Sequence, residues 1–366
     1  MKTAIIKQPV GQASRLSELS WRHLFGQARR LSYRGFLSVN FLEEENMRKF
    51  FMGVISLAML LLPALAFPAA DFPKGPITYI IPFNPGGQSD VEARMQQPYL
   101  EKILGVPMVI NYMPGAGGGL AWTKFAQAKP DGYSVCGINI PHIILQPLSQ
   151  TDLAFQTEDL KPLCIFESTP IGLAVKKDSK INSVKEFIDF ARANPNKITI
   201  GMSGKYSGHH MASLLFMKMN HIKLTLVTFT GAAPQVTALL GGHVEAIWGN
   251  SSDLVAQEGQ MKILAIGTEK RMDVLPSVLT FQELGYKFYP RIDRGVAVPK
   301  NTPADITAKL EKAFLDTVNK EDYLTKITKA GFVPMKLNSE QAVKYIRAET
   351  ETIKRLLAEH DLLLKK

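Results

Sequence analysis

Three turns that contain glycine stand directly before predicted helices, and they carry the clearest chemical potential in this sequence. They lie at residues 83–90, 203–210 and 230–234. Such turns leave backbone N–H groups unpaired at the positive end of a helix dipole, where a carboxylate or another anion binds well. The turns also hold hydroxyl and amide side chains. This combination indicates a site that holds an anion rather than one that transforms it; the alternative is that the glycines only allow tight turns.

Two glycine patterns resemble nucleotide-binding loops, and both fail on spacing. Gly115 and Gly117 suggest a dinucleotide loop, but Leu120 occupies the position of the third glycine, and no acidic residue follows at the expected distance. Gly204 precedes a lysine as in a phosphate loop, but Tyr206 stands where that loop needs Ser or Thr. We therefore predict no cofactor.

The few possible catalytic or metal-binding residues also lack the partners that chemistry would need. His209 and His210 are adjacent, so they would point about 100° apart on a helix, which argues against a metal site and favours a capping or ligand-facing role. Ser203, Ser207 and His210 are the only candidates for a nucleophile and a base, and no Gly-x-Ser-x-Gly turn is present. We predict a protein that is not an enzyme and binds no metal.

The elements that must position these turns alternate between strand and helix, which is the pattern of an α/β fold with a largely parallel sheet. Strands are predicted at 77–81, 107–111, 134–140, 160–167, 171–176, 198–200, 244–248, 263–266 and 296–298. Helices are predicted at 91–104, 183–193, 211–219, 302–318, 322–330 and 339–363, and two further helices end near 128 and 241.

The first 66 residues read as sequence that is absent from the mature protein. Residues 47–66 combine a short basic segment, an apolar run and Ala64-Leu65-Ala66, the features of a secretory signal peptide. Because a signal peptide normally begins at the initiator, residues 1–46 are interpreted as an over-called extension, with translation starting at Met47. An Arg-rich targeting arm is the alternative for that segment.

Export changes the charge and the redox environment of the chain. Residues 1–66 hold nine Lys and Arg and four Asp and Glu, so the remainder carries 34 basic and 29 acidic side chains, a formal charge of +5 against +10 for the whole. This balance argues against nucleic acid as a partner and suits a small anion. Cys136 and Cys164 lie in apolar surroundings, where two buried thiols are expected more often than a disulfide.

Several motifs follow one another in a set order from about residue 71 to the C-terminus. They are Pro82-Phe83-Asn84-Pro85-Gly86-Gly87 with Asp90 and Ala93-Arg94; Asn111 with Pro114-Gly115-Ala116-Gly117-Gly118; Pro130-Asp131-Gly132-Tyr133; Asn194-Pro195; Ser203-Gly204 with Ser207 and His210; Gly231 with Ala233-Pro234; Leu240-Gly241-Gly242; and Lys270-Arg271 through Leu275-Pro276. With these motifs the region resembles the substrate-binding proteins of tripartite tricarboxylate transporters, also called the Bug family.

The resemblance implies a periplasmic binding protein of two domains, similar to type II, each a mostly parallel sheet flanked by helices, with the ligand in the interdomain cleft. Domain I would comprise 71–169 and 295–366, and domain II 170–294. A monomer would hand a small carboxylate to a membrane permease of one large and one small subunit. The ligand-binding residues implied are Phe83, Asn84, Gly86, Gly87, Gln88, Asp90, Ser203, Gly204, Tyr206, Ser207, His210, Thr230, Gly231 and Ala232.

The chain departs from the family pattern at positions that bear on the ligand. Thr230 stands where a basic residue or similar is usual, which weakens the case for a highly charged ligand such as citrate. Arg294 could compensate, or could be a surface residue paired with Asp293. Tyr206 and Phe229 favour a ligand with an apolar or aromatic part.

Two other functions stay open from the residues alone. A ligand-sensing subunit for a membrane signalling partner would have the same cleft. An exported α/β enzyme acting on carboxylates is disfavoured by the missing nucleophile and base.

Overall fold

Alternating strands and helices build the part of the chain that the computed structural model describes, residues 72–150, 153–360 and 362. The signal peptide and extension predicted at 1–66 lie outside these residues. The strands are β1 Ile77–Ile81, β2 Met108–Tyr112, β3 Ser134–Ile140, β4 Leu160–Lys176, β5 Thr199–Met202, β6 Thr225–Thr228, β7 Ala246–Asn250, β8 Met261–Ile266, β9 Arg291–Pro299 and β10 Val333–Asn338. The helices are α1 Gln88–Leu104, α2 Gly119–Ala126, α3 His142–Ser149, α4 Val184–Ala193, α5 Gly208–Asn220, α6 Ala232–Leu240, α7 Ser251–Ala256, α8 Ala304–Val318, α9 Glu321–Lys329 and α10 Ser339–Glu359.

The strands form one mixed sheet in the order β2-β1-β3-β9-β4-β7-β5-β6, and β8 and β10 also pair with β4. At one end β1 runs parallel to β2 and β3, and at the other β5 runs parallel to β6 and β7. Strands β4 and β9 pair antiparallel with their neighbours in the middle. The predicted α/β class is therefore confirmed, whereas the largely parallel character holds only at the two ends.

Strand β4 joins the two ends of the sheet. Its first part, up to Pro170, pairs with β9, and its last part, from Ile171, pairs with β7 and β8. The sequence predicted two strands here, at 160–167 and 171–176, because the polar and proline residues between them resemble a break. Thr169 is instead fully buried, and the chain stays extended through Pro170. We call the strands on the β2 side of this crossing the first half-sheet and those on the β6 side the second half-sheet.

Each half-sheet has its own apolar packing. Residues such as Phe314, Tyr323 and Leu100 cover one face of the first half-sheet, and Trp122 belongs to the cluster on its other face. In the second half-sheet, Trp248 packs with Phe216, Phe281 and Phe288, whose ring centroids lie 5.4–6.2 Å from the centroid of the tryptophan ring. Burying large aromatic rings stabilises each half and so fixes the helix starts above it.

Four elements escaped prediction, namely α3, α7, β6 and β10, and the cysteine expectation held. Helix α3 contains Pro147 and continues directly from a strand, so its apolar run gave no separate signal; strand β10 is short and half exposed. Cys136 and Cys164 are both free and buried, and burial raises the pKa of each thiol. Within the described part of the chain, no helix is both long and apolar enough to cross a membrane.

Candidate functional site

The start of α1 has backbone N–H groups that no side chain caps, because Gly87 has no side chain and the Asp90 carboxylate bonds to other groups. Gly87 occupies the N-cap position and has no side chain to cap the helix. The Asp90 carboxylate accepts the N–H of Gly86 at 2.8 Å, the Nε–H of Arg94 at 2.8 Å and the hydroxyl of Tyr112 at 2.6 Å. Asp90 therefore shapes the turn, and the helix start itself stays open to an anion.

The start of α6 on the second half-sheet is also bare, and it faces the first loop. Gly231 is the N-cap, without a side-chain cap. A Cβ placed on Gly231 would lie 3.6 Å from the backbone nitrogen of Asn84 and 3.6 Å from Cβ of Phe83. The Oδ1 atom of Asn84 is buried there without a hydrogen-bond partner. Two uncapped helix starts from opposite halves thus approach each other.

The third predicted turn, at the start of α5, is closed by its own side chains. The Ser207 hydroxyl accepts the His210 N–H at 3.1 Å and donates to the carbonyl of Gly204 at 2.7 Å. The Tyr206 N–H donates to His210 Nδ1 at 3.2 Å. His210 therefore has a capping role, as one of the two predicted for it, and burial lowers its pKa to about 4.

A cavity lies between these helix starts and the crossing strands. Its volume is about 20 Å³, enough for about one water molecule. Its walls come from both half-sheets and from the strands β3, β7 and β9. The lining residues are Phe83, Gly87, Gln88, Ser89, Asn139, His142, Ser203, Ala232, Asn250, Ile292 and Arg294.

Five of the predicted ligand-binding residues line this cavity and nine do not. Those in the lining are Phe83, Gly87, Gln88, Ser203 and Ala232. Those outside it are Asn84, Gly86, Asp90, Gly204, Tyr206, Ser207, His210, Thr230 and Gly231. Most of the second group shape or cap the turns, and Thr230 is exposed. Phe229 is also outside the lining, so the rings of Tyr206 and Phe229 do not face the cavity as an aromatic ligand would need.

Three polar lining residues at or just after the ends of strands were missed, and a signal existed for each. Asn139 lies near the carboxyl end of β3, His142 opens the following helix, and Asn250 ends β7. Ligands of α/β proteins bind outside the carboxyl ends of strands, so a polar residue there in an apolar run is a candidate. The position at the end of a strand was therefore a second signal beside the glycine turns.

Arg294 is buried at the cavity, so the interpretation as a surface residue paired with Asp293 is wrong. Only 4% of Arg294 is exposed. Its Nη1 donates to Thr169 Oγ1 at 2.6 Å and lies 4.0 Å from Glu167 Oε1. Asp293 instead accepts from Arg291 at 3.3 Å and from Tyr345 at 2.5 Å. Strand alternation explains the difference, because neighbouring side chains point to opposite faces of β9.

Two buried carboxyl groups lie behind Arg294. Burial, and after it the charge of Glu167, raises the pKa of Glu92 well above its usual range. Burial raises the pKa of Glu167 to about 8, although the Arg294 charge acts in the opposite direction. Two like charges in one buried site disfavour each other, which shifts both groups towards their protonated forms.

The two buried histidines near the cavity are neutral. Burial, Arg294 and His209 lower the pKa of His142 well below its usual range, and burial lowers that of His209 to about 3. Nδ1 of His209 accepts the Ser203 N–H at 3.3 Å, so its Nε2 donates to Asn250 Oδ1 at 3.1 Å. His209 thus holds two lining residues in place.

The donor set suits an organic anion better than a metal. Among residues 72–150, 153–360 and 362, no group of three or more His, Cys, Asp or Glu side chains is placed to hold a metal ion. Amides, hydroxyls, neutral imidazole and one guanidinium are the groups that bind carboxylates.

Known proteins resemble this chain in sequence and in fold. The profile described as tripartite tricarboxylate transporter family receptor matches residues 92–362. A UPF0065 protein from the gbd 5′ region of Cupriavidus necator is 30% identical over 82% of this chain and 90% of its own length. The profile match covers nearly all of the described residues.

Two solved structures share the fold. MatC from Rhodopseudomonas palustris with bound malate superposes with a TM-score of 0.74 at 26% identity, covering 78% of this chain and 100% of its own. The periplasmic binding protein BugD superposes with a TM-score of 0.76 at 24% identity, covering 79% and 99%. The predicted fold of a periplasmic binding protein is thereby confirmed.

Proposed function

Because the chain belongs to the tripartite tricarboxylate transporter receptor family, we propose that it is an exported receptor that captures a small carboxylate and delivers it to a membrane permease of one large and one small subunit. Receptors of this family are periplasmic and are binding proteins, not enzymes. The signal peptide proposed at 47–66 would direct the export, and the receptor would act as a monomer.

The proposed domains are 71–169 with 295–366 and 170–294, hinged where the chain crosses between the half-sheets. The support is the register of β4, which changes partners between Pro170 and Ile171. The N–H of Ile171 bonds to the carbonyl of Pro290 at 2.8 Å, so the return of the chain into β9 lies beside the first crossing. Hinge closure around a ligand is the usual motion of such a two-domain arrangement.

The observation that carries the proposal is the meeting of two uncapped helix starts, one from each half, at one polar cavity. Gly87 and Gln88 bring the start of α1, and Ala232 brings the start of α6. A carboxylate between them would accept N–H bonds from both halves and be favoured by both helix dipoles. Closing the halves would also exclude water, which strengthens those bonds.

The predicted binding residues accordingly divide into two proposed roles. Phe83, Gly87, Gln88, Ser203 and Ala232 would contact the ligand, and the other predicted residues would shape the three turns that present it. Malate, bound by MatC, makes small polar acids the first compounds to test.

A thermal-shift screen of the chain from Phe67 onward tests the proposal. The panel holds aliphatic, hydroxy, tricarboxylic, amino and aromatic acids. An acid present at 100 times its dissociation constant should stabilise the fold by about 2.7 kcal/mol. A folded protein that none of these acids stabilises would contradict the proposal.

A matched pair of variants separates the cavity from general charge effects. Ala232→Asp places a carboxylate at the start of α6, where it would occupy the proposed anion position, so stabilisation by the acids should be lost. Ala304→Asp adds the same charge at the start of α8, away from the cavity, and should leave the stabilisation intact. Equal effects of both variants would speak against binding at the helix starts.

A further inference from the structure

A groove of about 320 Å³ lies between the two halves, on the other face of β9 from the cavity. Side chains alternate along this strand, so that Arg291 and Asp293 line the groove whereas Ile292 and Arg294 line the cavity. A Cβ on Gly208 would lie 2.6 Å from Cγ1 of Ile292, so the start of α5 packs directly against β9. The groove and the cavity share no lining residue and are two separate spaces.

Apolar side chains from both halves form the walls of this groove. Met211, Leu215 and Met219 come from α5 of the second half, and Ile353 and Leu356 come from α10 of the first half. Methionine side chains are flexible and polarizable, so a surface that contains them adapts to apolar groups of different shape. Such walls suit an aliphatic or aromatic group rather than a fully polar molecule.

One charged cluster interrupts the apolar walls, and its formal charge is negative. Arg291 donates from Nε to Oδ2 of Asp293 at 3.3 Å and from Nη2 to Oε1 of Glu349 at 2.9 Å. One guanidinium thus faces two carboxylates. Lys287 is the other cation among the described lining residues, and it is exposed to solvent, where salt screens its charge. The cluster is therefore short of one positive charge.

The same cluster contains a carboxylate oxygen that meets no donor. Asp293 is 1% exposed, and its Oδ2 accepts from Arg291 and, at 2.5 Å, from the hydroxyl of Tyr345. Its Oδ1 is buried and has no hydrogen-bond partner among the described residues. An unpartnered buried acceptor is costly, so a molecule that donates to it gains affinity. An ammonium group supplies both the donor and the positive charge that the cluster lacks.

We propose that this groove is a second ligand site, which takes a small primary amine with an aromatic or aliphatic body. The ammonium group donates to Asp293 and balances the charge of the cluster, and the body packs between α5 and α10. Such a site goes beyond the proposed receptor function and does not depend on it, because the cavity proposed for the acid lies on the other face of β9.

Titration of the wild-type chain with two probes of the same shape, followed by ligand-observed NMR, tests the site. Phenethylamine carries an ammonium group on a two-carbon arm of a benzene ring, and 2-phenylethanol carries a hydroxyl group in its place. We expect phenethylamine to bind saturably, with a dissociation constant on the order of 1 mM or below. The alcohol should bind about 10-fold more weakly, because a charge-assisted hydrogen bond is stronger than a neutral one.

Substitution of the carboxylate tests the contact with the ammonium group. Asp293→Asn keeps the shape of the side chain but removes its charge, so it should weaken phenethylamine binding about 10-fold and change 2-phenylethanol binding by less than about 2-fold. Asp316→Asn removes a carboxylate from an exposed pair with Lys312 and should leave the binding of both probes within about 2-fold of wild type.

A second pair of variants tests the place of binding, and it serves also if Asp293→Asn does not fold. Met219→Trp fills the groove from α5 and should weaken the binding of both probes more than about 10-fold. Lys218→Trp puts the same ring on the exposed side of α5 and should leave binding unchanged. Ala232→Asp adds a carboxylate at the cavity; it should not alter phenethylamine binding, whereas an amine bound in the cavity would bind more tightly.

Four outcomes would overturn the proposal. They are absence of saturable phenethylamine binding to the folded wild type, binding of 2-phenylethanol as tight as that of the amine, wild-type affinity in folded Asp293→Asn or Met219→Trp, and tighter amine binding in Ala232→Asp. Urea unfolding of each variant establishes that it is folded. In each case the screen of acids still decides the receptor function, because it measures a different ligand.

Discussion

Gly117 of the first half packs against Gly204 and Lys205 of the second half, and enlarging it should hold the cleft open. Gly117 lies on the first half and faces Lys205 of the second. A Cβ on Gly117 would lie 2.8 Å from the carbonyl oxygen of Lys205 and 3.2 Å from Nε2 of Gln146. An ordinary contact begins at 3.4 Å, so Gly117→Ala forces the two backbones apart by about 0.6 Å.

The cost falls mainly on the closed form. Overpacking of this kind costs about 1–3 kcal/mol, and opening the cleft relieves it. If the closed form holds the ligand, the binding free energy becomes less favourable by the same amount. The apparent dissociation constant then rises about 5–150-fold. Gly117 also has φ +62°, and an alanine in that region costs about 1–2 kcal/mol whether the cleft is open or closed.

Gly105 separates these two costs. It has φ +73°, and an added Cβ would meet nothing within 4 Å, so Gly105→Ala carries the backbone cost alone. Urea unfolding of the ligand-free variants should show similar destabilisation, whereas calorimetry with the strongest acid of the screen should show weaker binding for Gly117→Ala only. Equal affinities of the two variants would refute the reasoning.

Three further predictions concern stability and reactivity. Ser183 caps α4 by accepting the N–H of Glu186 at 3.1 Å, so Ser183→Ala should cost about 1 kcal/mol in urea unfolding and leave acid binding unchanged; an unaltered midpoint would contradict the cap. His209 stays neutral in the fold down to about pH 3, whereas the unfolded chain takes up the proton below about pH 6.5. The unfolding free energy of wild type relative to His209→Gln should therefore fall by about 1.4 kcal/mol per unit between about pH 6 and pH 4, and a difference independent of pH would exclude the neutral imidazole. Cys136 and Cys164 should resist a thiol reagent in the native protein and react in denaturant; fast native labelling would show that they are accessible.

Local sequence signals recovered most of the elements that surround the site. The strand at Ser134–Ile140 was predicted with its observed bounds because its apolar run ends at a proline. Ser183 before an amphipathic stretch predicted the start of α4. The loop at 83–90 was identified as a helix start that could bind an anion, since glycine and proline residues mark a turn within a few positions.

The sequence by itself determined the α/β class, the family and the helix starts, because periodicity, capping and glycine turns act within a few residues. Only the tertiary structure decided that β4 runs unbroken between the halves, that Ser207 and His210 close their own turn, and that Arg294 is buried at the cavity. Arg294 is 125 residues from Thr169, its partner. No local pattern predicts that Arg294 pairs with Thr169. The face that a side chain occupies depends on strand register and on which strands lie side by side in the sheet.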